Sequence, residues 1–249
     1  MKVLIYGSKG WIGQQLVKLF QIKHIEFYIG ESRLENYEKL RNELKIKKDS
    51  LGITHVISST GCTHGIYNNT AYNTIDYLEM PGKLRDNMRD NYIGPINLAE
   101  LSEKLDLHYT YFGTGCIFTY DETHTIENKV GFTEEDYPNF FGSSYSIVKG
   151  YTDIKMKHFK NTLNLRIRMP IIGCHHPRNF ITKITKYEKI CSIPNSMTVL
   201  DELLPIVLHM MKSTETGTYN MTNPDVIEHN DILEFYRQIV DNSFKWKNF

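Results

Sequence analysis

No apolar run in this 249-residue chain approaches the roughly 20 residues of a membrane span. The run before Gly7 is also too short for the apolar region of a signal peptide. Net charge is missing: Lys+Arg and Asp+Glu number 29 each. That excludes a general nucleic-acid or membrane-surface binder, which needs an excess of positive charge. The four cysteines, Cys62, Cys116, Cys174 and Cys191, show no CxxC spacing and no even ladder. A disulfide scaffold is thereby excluded, and a soluble protein of the reducing cytoplasm is expected. Repeats and low-complexity tracts are absent too. A chain of this length buries most of its apolar surface without covalent staples. Small-molecule chemistry or a protein partner is what these absences leave.

What is present is an alternation of strand and helix signals. Val3–Tyr6, Glu26–Ile29, His55–Ser58, Leu107–Phe112 and Leu163–Arg168 read as strands. Helical spacing runs over 11–20, 35–48, 87–105 and 143–159, and 121–141 reads as a polar loop. This order predicts an α/β fold, a Rossmann-like doubly wound parallel sheet covered on both faces. After Pro170 the pattern loosens into short segments, prolines and two more helices. The expected division is 1–170 as a nucleotide-binding domain and 171–249 as a small substrate-binding lobe, with some chain crossing back to the sheet.

Between the first strand and helix stands Gly7-Ser8-Lys9-Gly10-Trp11-Ile12-Gly13. Glycines allow a tight turn and a close approach to a pyrophosphate, which the helix N-terminus attracts. The spacing is GxxGxxG rather than GxGxxG, so alone it is also compatible with a simple tight turn. Gly7, Gly10, Trp11, Ile12 and Gly13 are the candidate cofactor contacts, with Trp11 covering the pyrophosphate. Ser58 and Ser59, after the third strand, are expected beside the adenosine. After the second strand, Gly30-Glu31-Ser32-Arg33 offers both signs of charge. Arg33 suits the phosphate of NADPH, the expected cofactor, while Glu31 would suit the ribose of NADH.

Tyr145 and Lys149 are four apart, on one face of a predicted helix. An ammonium beside a phenol lowers the phenol's pKa, and such a phenol can protonate a carbonyl oxygen as hydride arrives. GxxGxxG, Asn91, Thr114 and Tyr145-xxx-Lys149 together resemble the extended short-chain dehydrogenase/reductase family. That resemblance spans essentially the whole chain. It implies that Thr114, Tyr145 and Lys149 assist proton transfer at a carbonyl, that Pro170, after the fifth strand, lies beside the nicotinamide, and that the lobe binds a nucleotide-sugar.

Family members that dehydrate sugars carry Thr-Asp-Glu after the fourth strand, where this chain has Thr114-Gly115-Cys116. Dehydration is therefore not expected. The strings GTGCIF, GFTEEDYPNFFGSSYSIVKG, LRIRMPI, PRNFITKITKYEKI and IPNSMTVLDELLPI are similar to the bifunctional 3,5-epimerase/4-reductases of UDP-L-rhamnose synthesis. The C-terminal part of plant rhamnose synthases belongs to that group. The resemblance implies a UDP-sugar substrate supplied by a separate UDP-glucose 4,6-dehydratase. It also implies a homodimer and a Cys116/Lys183 pair for proton transfer, with either residue as base. Arg178 and Asn179 are candidate contacts for the diphosphate and uracil. The isoleucine-, lysine- and asparagine-heavy composition suits an AT-rich genome such as a giant virus, which would place the protein in host cytoplasm. Two other readings stay open: a plain 4-ketosugar reductase, and a non-catalytic subunit like the regulatory subunit of methionine adenosyltransferase. Cys174-His175-His176 lacks a second cluster to complete a metal shell, so no metal is expected.

Overall fold

The computed structural model describes residues 1–249. The chain runs β1 (Lys2–Tyr6), α1 (Trp11–Ile22), β2 (Glu26–Ile29), α2 (Tyr37–Leu51) and β3 (His55–Ser58). A hairpin, β4 (Gly65–Tyr67) and β5 (Thr70–Tyr72), precedes α3 (Leu84–Met88), α4 (Gly94–Lys104) and β6 (His108–Thr114). Then follow α5 (Ser144–Met156), β7 (Thr162–Ile167), β8 (Pro170–Ile171), α6 (Phe180–Ile184) and β9 (Thr198–Val199). The chain closes with α7 (Leu200–Lys212), β10 (Gly217–Asn220) and α8 (His229–Ile239).

The main sheet has six parallel strands in the order β2-β1-β3-β6-β7-β10. Strand order reverses between β1 and β3, and a crevice for a ligand opens at such a switch point. The two-residue period of a strand divides the core. Val3, Ile5, Ile57 and Leu165 face the layer of α1 and α7, while Leu4, Tyr6, Val56 and Tyr109 face α2 and α4. Every residue of β3, β6 and β7 is buried, as parallel strands covered on both faces require.

The helix predicted over 87–105 is interrupted. One turn of π-helix, Arg89–Ile93, joins α3 to α4. Pro95 has no N–H to donate to the Asn91 carbonyl four residues back. That carbonyl instead accepts the Thr152 hydroxyl at 2.7 Å, which fixes α5 against this turn. The hairpin at 65–72 is a feature that the sequence reading did not assign.

The lobe has its own small core of Ile184, Ile190, Met197, Ile232 and Leu233. Within 171–249, α7 returns to the sheet layer and β10 pairs with β7, so the lobe proper is formed on either side of this excursion. No helix is long and apolar enough to cross a membrane.

At the strand ends remote from the crevice, the rings of His55 and His108 lie 5.0 Å apart. Burial, then the neighbouring His108, pushes His55 down to about 4. Burial also lowers His108. Below the ordinary histidine value the unfolded chain takes up protons that the folded chain refuses. This stabilisation is therefore present above about pH 6.5 and is lost as pH falls toward 4. Urea midpoints should drop between about pH 7 and pH 5, and a His55→Gln/His108→Gln double variant should show a smaller drop.

Candidate active site

Gly7 has φ of +81°, a region where side chains are strained. A Cβ there would stand 2.9 Å from Ser59, and one on Gly13 would overlap the Gly7 carbonyl. The Gly10 N–H closes the turn on that same carbonyl at 2.9 Å. Helix α1 starts at Gly10 without a side-chain cap, so its first N–H groups stay open to an anion. This bare backbone at the switch point fits a dinucleotide pyrophosphate. Ser59 braces the turn: its N–H reaches the Tyr6 carbonyl at 3.1 Å and its hydroxyl the Gly7 carbonyl at 3.2 Å. Ser58 is fully buried and shares a 2.7 Å hydrogen bond with Thr60. Ile12 packs against the core, and Pro170 pairs β8 with β9 opposite Thr198. Trp11 stacks on His176 with ring centroids 5.4 Å apart, tying the glycine turn to the loop before α6.

Arg33 is exposed beyond β2, where Glu35 at 3.1 Å and Asp90 at 3.3 Å hold its guanidinium. The turn is organised by a residue that sequence reasoning missed. Glu43 accepts the N–H groups of Glu31 at 2.7 Å and Ser32 at 2.9 Å, and the Tyr6 hydroxyl at 3.0 Å.

Helix α5 places the phenol. Ser143 caps it by accepting the Ser146 N–H at 3.0 Å. The Glu79 carboxylate accepts the amides of Ser144 at 3.1 Å and Tyr145 at 3.4 Å, matching the positive end of the helix. Tyr145 is buried, and Tyr77, Leu78 and Cys116 pack around it. Thr114 ends β6, and its hydroxyl accepts the Cys116 N–H at 3.1 Å. Gly113 supplies room on the same strand: a Cβ there would stand 2.7 Å from the Asn164 side chain. Thr114, Cys116 and Tyr145 thus converge at the C-terminal end of the central strand.

The expected lowering of the phenol's pKa is not found. Burial raises Tyr145 well above its ordinary value, and nearby Cys116 adds to the rise. The Thr114 hydroxyl and the Arg168 cation oppose it without prevailing. Lys149 shares the helix face with Tyr145, but its amine donates to the Tyr111 hydroxyl and to the Phe112 carbonyl at 3.4 Å. Burial brings Lys149 down to about 8, against the pull of Asp153 and Cys116.

Asn91 organises the same wall. Its side chain bonds both the N–H and the carbonyl of Cys62, at 2.9 and 2.8 Å, and Asn87 at 2.9 Å. On the lobe side, Arg178 reaches the Asn73 carbonyl at 3.4 Å. Lys183 is half-buried on α6; burial, then the Arg178 cation, lowers its pKa. No hydrogen bond joins Lys183 to Cys116 or Tyr145. Asn179 is given a different task from the expected uracil contact. It is buried, and its amide donates to the carbonyls of Ile172 at 2.9 Å and Cys174 at 2.7 Å. It thereby anchors the helix that carries Lys183.

The polar loop is pinned from below. Buried Arg166 meets Asp153 at 2.7 Å and donates to the carbonyls of Thr133 and Asp136. Asp153→Ala leaves a buried cation without its partner, which should cost about 3–5 kcal/mol in urea unfolding.

The RmlD substrate binding domain matches this chain over residues 1–191. The chain belongs to that family. Among its relatives, the uncharacterized protein L780 of Acanthamoeba polyphaga mimivirus is 47% identical, over 100% of this chain and 83% of its own length. The crystal structure of L780, described as a UDP-rhamnose synthase, superposes with a TM-score of 0.91 at 45% identity, covering 100% of this chain and 84% of the other. A bifunctional dTDP-4-dehydrorhamnose 3,5-epimerase/reductase of Arabidopsis thaliana is 43% identical, over 99% of this RmlD-type chain and 78% of the relative. A trifunctional UDP-glucose 4,6-dehydratase/epimerase/reductase of the same plant is 43% identical over 100% of this chain but only 36% of its own length.

Proposed function

We propose that this RmlD-type chain is a bifunctional 3,5-epimerase and NADPH-dependent 4-reductase that converts UDP-4-keto-6-deoxy-D-glucose to UDP-L-rhamnose. The observation that carries the reading is the convergence of Tyr145, Thr114 and Cys116 at the C-terminal end of β6, on the same edge of the parallel sheet as the bare glycine turn after β1. Gly7, Gly10 and Gly13 hold the pyrophosphate, Ser59 lines the adenosine side with the fully buried Ser58 beneath it, and Arg33 takes the ribose phosphate. Once bound, the cofactor supplies the hydride for the reduction.

The chain's own residues move the protons. Hydrogens on the two carbons flanking a ketone are acidic because the resulting charge rests on the ketone oxygen. Tyr145 and Thr114 donate hydrogen bonds to that oxygen and stabilise the enolate. Cys116 and Lys183 exchange the protons at the flanking carbons, one from each side of the ring. During reduction Tyr145 delivers its proton to the same oxygen, with Lys149 holding the ribose and supplying positive charge nearby. Arg178 grips the diphosphate with its planar fork. The ketosugar is the product of a UDP-glucose 4,6-dehydratase, an activity that the trifunctional relative's name joins to the epimerase and the reductase. Four free cysteines are consistent with a reducing cytoplasm. A homodimer through α4 and α5 is supported by exposed Ile93 and Tyr151 beside and on these helices.

Product NMR tests the function. Purified protein, NADPH and either UDP- or dTDP-4-keto-6-deoxyglucose should yield the L-rhamnose configuration, faster with UDP. A reduced sugar that keeps its original ring configuration would leave only a plain reductase. No NADPH oxidation with any ketosugar would favour the non-catalytic reading.

A further inference from the structure

Arg168 stands in the turn between β7 and β8, two residues after Arg166, yet the two arginines are used differently. Arg166 is paired with Asp153. Arg168 forms no ion pair with any carboxylate. Its Nε donates to the Asn195 side chain at 2.8 Å, and its Nη1 donates to the sulfur of Cys116. Asn195 is itself fixed, exchanging backbone hydrogen bonds with Ile227 at 3.1 and 3.0 Å. The Arg168 N–H is tied to the Thr198 hydroxyl at 2.9 Å. The guanidinium is thus clamped by the lobe and aimed at the sulfur.

We infer that Arg168 is a positioning residue that holds the Cys116 sulfur as the proton acceptor of the epimerisation. This rests on the epimerase reading above. A guanidinium has five N–H donors and no acceptor, so its contact obliges the sulfur to accept. The charge of a guanidinium without a carboxylate partner is complemented by a thiolate rather than by a thiol. Around the sulfur, Thr114 contributes from β6, Tyr145 and Lys149 from α5, and Arg168 from the turn after β7. Two of these four are cationic and none is a carboxylate.

The step balances simply. The thiolate takes the hydrogen from a carbon beside the ketone as a proton, forming S–H. The C–H electron pair moves into the enolate, whose oxygen Tyr145 and Thr114 bond. A proton from the Lys183 ammonium then forms the new C–H bond on the opposite face. The thiol and the neutral amine return to their starting forms by exchange with water.

The test is alkylation by iodoacetamide, read separately at each cysteine by mass spectrometry. Exposed Cys174 and Cys191 serve as internal references for folding and reagent. Rates at Cys116 are read at about pH 6.5 and pH 8.5, because the thiolate is the reacting form. Arg168→Met, which keeps the apolar stem, should slow Cys116 about tenfold or more at the lower pH and much less at the higher. Arg168→Lys should restore part of the low-pH rate. Equal Cys116 profiles in the native chain and Arg168→Met, with unchanged references, overturn the inference. A variant that fails to fold is recognised by altered references, and Asn195→Ala then takes its place, expected to slow Cys116 at low pH by releasing the clamp. Equal profiles in Asn195→Ala and the native chain would overturn the inference in the same way. Entry of solvent deuterium into the sugar is measured in parallel. Its absence from the native chain would overturn the epimerase reading, whatever Cys116 alkylation shows.

Discussion

Replacing Tyr145 by Phe lowers NADPH consumption on the ketosugar by about 10²–10⁴-fold, the range typical of a lost general acid. The phenol is buried where β6 ends, and the amides of α5 that carry it are fixed by Glu79. Phe keeps the ring packed against Tyr77 and Leu78, so the fold and NADPH binding should persist. The same oxygen stabilises the enolate, so deuterium exchange at the flanking carbons should fall as well. Lys149 adds a pH signature. Its pKa near 8 means the ammonium is present below that value and disappears as pH rises through it. The reduction rate of the native enzyme should therefore decline above about pH 8. Retention of normal turnover by Tyr145→Phe would remove the phenol from the mechanism.

Cys116→Ala separates the two activities. Loss of the sulfur should cut deuterium entry at the flanking carbons by about 10²–10⁴-fold. The variant should still oxidise NADPH when given the already epimerised ketone, because Tyr145, Thr114 and the glycine turn are intact. Serine in place of the sulfur should not rescue exchange, since a hydroxyl is a far weaker base than a thiolate. Normal deuterium entry in Cys116→Ala would assign proton removal elsewhere.

Much of this could be read from residue order. The glycine turn, the Tyr145-Lys149 spacing and the alternation of strands depend on local pattern, and each stands where the pattern placed it. The features that escaped depend on contacts distant in sequence. Glu79 reaches the start of α5 across 65 residues, and Arg168 reaches Cys116 across 52. Asn179 reads as a polar residue beside an arginine, but folding turns its amide inward to two carbonyls. The π-helical turn did carry a local sign: Pro95 lies four residues after Asn91 inside an apparent helix. The raised pKa of Tyr145 could not be read from spacing, because burial outweighs the neighbouring charges.

The most direct measurement of the central claim is made in deuterated water with UDP-4-keto-6-deoxy-D-glucose, NADPH and the purified chain. The product should be UDP-L-rhamnose with deuterium on both carbons that flank the former ketone and protium at the reduced carbon. A reduced sugar without deuterium at either flanking carbon would contradict it.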